Sequence, residues 1–130
     1  MNLSPVNFIV HITHISIYKR QNTTNMRGEI FSNKVKSGKF IDRTNQEAFI
    51  LRKGAHQVEY VNADLTLKSK IIWTSDTDYK LVLEDISNPT LVNLQVGDEL
   101  SVHITEITNE YYVSETNFKG NKQTSQLWFA

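Results

Sequence analysis

From Gly38 to Phe129 apolar side chains recur at every second position. That alternation suits a pleated strand with one face buried and the other wet. Turn residues interrupt it at roughly 8–12-residue spacing, as a sandwich or barrel requires. The cleanest stretch is Leu65–Trp73. There Leu65, Leu67, Ser69, Ile71 and Trp73 share one parity, and Thr66, Lys68 and Lys70 the other. Upstream, Glu47, Phe49 and Leu51 share a face, and Lys53-Gly54 marks a hairpin whose glycine supplies positive φ. His56, Val58 and Tyr60 then form one face of a strand, with Gln57 and Glu59 on the other. Tyr79, Leu81 and Leu83 lead a further strand. Asn88-Pro89 makes the stretch from Asp85 to Gly97 a loop or a single helical turn. Leu100, Val102 and Ile104 begin a hairpin that turns at Thr108-Asn109-Glu110 and returns through Tyr111 and Val113. Lys119-Gly120-Asn121 leads into the last strand. The expected fold is all-β, an antiparallel up-and-down meander closing into a small barrel of about eight strands.

The first quarter differs. Residues 6–18 are β-branched and strand-like, but their alternation slips near Ile12. Residues 19–27 are polar and read as a linker. The division expected is 1–25 as an N-terminal extension or edge strand and 26–130 as a single barrel domain, with a short strand at 28–31.

Composition removes several function classes. Lys plus Arg and Asp plus Glu number 14 each, so the basic excess of a phosphate-driven nucleic-acid binder is missing. There is no cysteine, which excludes disulfides, thiolate metal sites and cysteine nucleophiles. The apolar run from Pro5 to Tyr18 is too short to span a bilayer, and no Lys or Arg precedes it. A cytoplasmic location is therefore slightly favoured.

A set of short motifs resembles a known group. Lys36-Ser37-Gly38-Lys39-Phe40 is followed by Arg52, Gln57-Val58-Glu59, Lys70-Ile71-Ile72-Trp73 and Asp76-Thr77-Asp78-Tyr79-Lys80-Leu81. This skeleton, from about residue 34 to the C-terminus, is similar to small uncharacterised β-barrel proteins of Bacteroidetes, often exported as lipoproteins. Those proteins resemble lipocalin-like (calycin) barrels. The resemblance implies a lipocalin-like barrel with a ligand-holding or scaffold role. Two features depart from it. The relatives carry a lipid-anchored cysteine, and they tend to carry another in the acidic turn, where Thr77 stands here.

Candidate sites follow from residue chemistry. His11 and His14 are three apart, which on a strand puts them on opposite faces, and His56 and His103 lie in separate hairpins. No metal site is expected, since zinc needs three or four convergent ligands. Asp76/Asp78 and Glu84/Asp85 are paired carboxylates, the first in a turn where such groups cap backbone amides. No nucleophile elbow is present, so no enzyme and no cofactor is expected. The polar residues Arg52, Gln57, Glu59, Lys68 and Lys70 have two readings. Gln57 and Glu59 could oppose Lys68 and Lys70 on a solvated outer face. Alternatively some of them lie inside and orient a ligand. The second reading makes Arg52, Gln57, Glu59, Lys70, Trp73 and Tyr79 the candidate ligand-binding set. Trp73, Tyr79, Tyr111, Tyr112 and Trp128 read as core or rim aromatics, or less readily as a stacking platform in an oligonucleotide-binding-like fold. The expected function is a non-enzymatic barrel holding a small, partly apolar ligand. The alternative is a structural or protein-interaction module with an exposed sheet edge.

Overall fold

A computed structural model describes residues 33–45 and 47–130. The expected extension 1–25, the strand at 28–31 and the His11/His14 pair lie outside those residues. Eight antiparallel strands close into one barrel in sequence order. They are β1 (Gly38–Ile41), β2 (Phe49–Lys53), β3 (His56–Asn62), β4 (Leu65–Trp73), β5 (Asp78–Ile86), β6 (Glu99–Ile107), β7 (Tyr111–Phe118) and β8 (Asn121–Phe129). Residues 33–36 make one helical turn before β1, and a 3-10 turn, Pro89–Leu91, sits in the β5–β6 link.

Alternation sets the inside. In β4, Leu65, Leu67, Ser69 and Ile71 are buried while Lys68, Lys70 and Ile72 are exposed. In β2 and β3 the inner parity belongs to Ile50, Arg52, Gln57, Glu59 and Val61. The face carrying Phe49 and Leu51 is therefore the outer one. This corrects the expected cross-strand ion pairs. Gln57 lies opposite Ser69 and Glu59 opposite Leu67, whereas Lys68 and Lys70 lie opposite Val58 and His56. Side chains have a period of two, so a one-residue change of register sends a whole strand's polar set to the other face.

Two irregularities bend the wall. The β4–β5 ladder steps between Lys68 and Ser69, where Asp85 is followed by Leu83 and Glu84 is the extra residue. The β6–β7 ladder steps between Ile104 and Glu106, leaving Thr105 over. Such bulges add local twist and curvature, which a small barrel needs to close. The second one brings Ile107 opposite Tyr112, and both are buried. Tyr112, and not Tyr111, therefore enters the core.

Closure depends on a thin seam. β1 pairs with β8 at Phe40↔Phe129 and Ile41↔Trp128 only. Aromatic contacts reinforce it from both sides. Inside, the Phe40 and Phe129 rings meet edge-on with centroids 5.9 Å apart. Outside, the Arg43 guanidinium lies 3.6 Å from the centroid of Trp128, whose ring also meets Tyr111 at 4.7 Å. The outer row is continuous across five strands: Tyr60, Phe49, Ile41, Trp128 and Tyr111 are successive cross-strand neighbours.

Phe129→Ala is expected to cost about 2 kcal/mol, below the 3–5 kcal/mol of a fully buried Phe because this ring is half-buried. Hydrogen exchange at Phe40 and Ile41 should accelerate more than exchange in β4. Equal acceleration everywhere would mean the seam is not a separate unit.

Candidate functional site

The two ends of the barrel are closed differently. Antiparallel order puts the start of β1 and the short links after β2, β4 and β6 at one end. The links after β1, β3, β5 and β7 lie at the other.

At the first end, Arg52 projects inward from β2 and is 4% exposed. Its Nε donates to Gln57 Oε1 at 2.9 Å, and Nη1 donates to the Val35 carbonyl at 2.7 Å. Nη2 donates to the hydroxyls of Tyr79 at 3.0 Å and Tyr112 at 2.7 Å. The two hydroxyls are 3.2 Å apart. The guanidinium also lies 4.5 Å from the centroid of Phe40, an arrangement that suits the planar cation. The helical turn 33–36 covers this end: Lys34 Nζ reaches the Asn109 carbonyl at 3.2 Å, and Lys36 Nζ lies 4.0 Å from Asp76 Oδ1.

Burial alone would weaken the Arg52 charge. The oxygens of Tyr112 and Tyr79 outweigh it, and the pKa ends above its ordinary value. Burial also pushes the Tyr79 phenol well above its usual range, opposed in part by Arg52.

The candidate set is thus divided by the fold. Arg52, Gln57, Glu59 and Tyr79 are all buried in the interior. Arg52, Gln57 and Tyr79 are joined by hydrogen bonds. Trp73 is half-buried at the rim, its ring 4.5 Å from Tyr79, with Lys36 5.3 Å from its centroid. Lys70 does not join them. It is exposed on the outer wall of β4 because it has the parity of Lys68. Val35 and Tyr112 complete the network and were not legible as members. A backbone carbonyl in a turn has no residue signature, and the bulge at Thr105 reverses the parity that would place Tyr112.

Toward the second end the interior is nearly full, and leucines there surround a few buried polar side chains. A cavity of about 10 Å³ remains, lined by Gln57, Glu59, Ser69, Leu67, Leu81, Leu83, Leu94 and Leu100. That is at the lower limit for one water and far below ligand size. Leu94 comes from the β5–β6 link and is 5% exposed. The link is held in place over it. Gly97 N–H donates to the Leu83 carbonyl at 2.8 Å, and Asp98 Oδ2 accepts from Gln95 N–H at 2.8 Å. Gly97 has φ of 96°, a conformation that suits glycine. Outside Leu94 lies a groove of about 520 Å³ lined by Val92, Leu94, Phe118, Lys119, Lys122 and Gln123 among others. Leu94 thus lines both the groove and the inner cavity.

The acidic turn holds a third cluster. Asp78 Oδ1 lies 2.7 Å from His103 Nδ1, and Asp78 Oδ2 accepts from Ser75 Oγ at 2.7 Å and Thr77 Oγ1 at 3.1 Å. Hydrogen bonds from Ser75 and His103 lower the Asp78 pKa. Ser75 meets the carboxylate and not the imidazole, so the nucleophile–base contact of a catalytic triad is not formed here. Among the described residues no three His, Asp or Glu converge as metal ligands, and no helix is long and apolar enough to cross a membrane.

Comparison with protein-family models, with curated proteins and with solved structures returns no match to this chain. The class therefore rests on geometry: an eight-stranded antiparallel barrel, locked at one end by a buried arginine and lidded at the other by a loop.

Two outcomes test the lock. Arg52→Ala strands several buried acceptors and is expected to cost about 3–5 kcal/mol in chemical denaturation. A loss under 1 kcal/mol would mean the network carries no stability. The raised Tyr79 pKa gives a second test. The unfolded phenol ionises first, so its stabilising contribution is complete below the ordinary phenol value of 10.0 and is lost as pH rises through the folded pKa. Unfolding free energy should fall more steeply above that pH in the wild type than in Tyr79→Phe.

Proposed function

We propose that this protein is a non-catalytic, lipocalin-like barrel that binds a small, partly apolar ligand at its lidded end. The single observation that carries this reading is the shared wall at Leu94. A groove of about 520 Å³, within the size range of small-molecule sites, lies on one side of it. Buried Gln57, Glu59 and Ser69 line the cavity on the other, among leucines.

In this reading Leu94 is a stopper. Swinging the β5–β6 link outward withdraws one leucine and joins groove to cavity. The apolar part of the ligand then takes the place of the leucyl side chain, beside Leu67, Leu81, Leu83 and Leu100. The amide, carboxyl and hydroxyl of Gln57, Glu59 and Ser69 fix the orientation of its polar end. Arg52 keeps the opposite end shut, so the ligand has one way in. The motif resemblance to lipocalin-like barrels supports the same reading.

Leu94→Ala should bind an environment-sensitive lipophilic dye at least about fivefold more tightly than the wild type, while costing about 2–3 kcal/mol of stability. A folded Leu94→Ala protein that binds no dye at any accessible concentration would end the proposal.

A further inference from the structure

The outer wall carries a second feature, argued from strand register and not from the Leu94 reading, although Lys122 borders both hollows. Strand register makes Lys80 on β5 the neighbour of Ser101 on β6. Ser101 is the neighbour of Asn117 on β7, and Asn117 of Lys122 on β8. The four residues form one cross-strand row. They line a concavity of about 470 Å³, which His103, Glu115, Asp78 and Thr74 also border. A barrel wall is convex around its axis, so a hollow of that size on its outside is not a default feature.

The row consists of hydrogen-bond donors flanked by positive charge. Asn117 is oriented: its Oδ1 accepts from Gly120 N–H at 3.1 Å, which leaves the Nδ2 amino group as the outward donor. Ser101 contributes a hydroxyl. Lys122 has no carboxylate within ion-pair distance among the described residues, and Lys80 has one loose contact, 3.9 Å from Glu99 Oε1. The lysines are three strand spacings apart, about 14 Å at the backbone. Two extended lysyl chains leaning inward from that separation can meet over Ser101 and Asn117. The acids of the hollow lie in the adjacent row. Asp78 is already engaged by Ser75, Thr77 and His103, and Glu115 stands opposite His103.

We propose that this row, Lys80–Ser101–Asn117–Lys122, is a binding site for a phosphate group. The two ammonium groups neutralise a dianion from opposite sides, and the hydroxyl and amide donate to its remaining oxygens. Neither backbone strain nor a moving loop is required, because all four side chains stand on paired strands.

The test is an amide-resolved NMR titration of the full chain with inorganic phosphate, against sodium chloride at matched ionic strength. Saturable shifts should centre on Ser101, Asn117 and Lys122 with phosphate and not with chloride. Lys80→Met and Lys122→Met should each weaken binding at least about fivefold. Ser101→Ala should weaken it further without changing the fold, which the remaining spectrum reports. Identical shifts with chloride, or unchanged phosphate affinity in Lys122→Met, would overturn the assignment.

Discussion

One buried cation organises this barrel. Arg52 sits on β2, yet its hydrogen bonds reach β3 through Gln57, β5 through Tyr79, β7 through Tyr112 and the turn before β1 through Val35. Burying a charge costs several kcal/mol before any contact is made. The compensation is directional, because a guanidinium fork donates well only to partners placed in its plane. A hydrophobic side chain would fill the same volume and leave the end of the cylinder free to slide. Arg52 fixes which turns converge there and draws the 33–36 turn over the opening.

That end and its opposite follow different physics. The Arg52 end is polar, saturated and closed by side chains from several strands. At the far end the β5–β6 link inserts a leucine, Leu94, against the inner cavity. Prising open the other end would orphan several hydrogen bonds at once. The fold thus sets a polar lock and an apolar closure at opposite ends of its axis. The proposed phosphate row stands on neither end but on the wall, where the pleat alone sets spacing.

Much of this was legible in the sequence, and the limits are specific. Leu65–Trp73 declared both of its faces, because Leu65, Leu67 and Ile71 on one parity face Thr66, Lys68 and Lys70 on the other. The turn at Pro89 and the hairpin glycine at Gly54 were equally plain. β2 and β3 were harder, since their inward parity carries Arg52, Gln57 and Glu59 while the outward one carries Phe49, Leu51 and Val58. A polar core face beside an apolar outer face defeats any rule that equates burial with hydrophobicity. Tyr112 was hidden for another reason: a single surplus residue at Thr105 inverts parity downstream, and no local composition announces it. The Asp78–His103 pair and the Lys80–Lys122 row are products of register, which joins residues far apart in the chain.

The brevity of β1 has a further meaning. Seven of the eight strand junctions are ladders between sequence neighbours, and the remaining one, β1 with β8, spans two residue pairs. If that junction parts, the cylinder becomes a ribbon with two bare hems. Each hem then finds its best mate either on its own molecule or on the equivalent hem of another. The aromatic clasp around Trp128 and Phe129 therefore does more than complete a cylinder: it keeps both hems occupied with each other and withholds their backbone groups from any other strand.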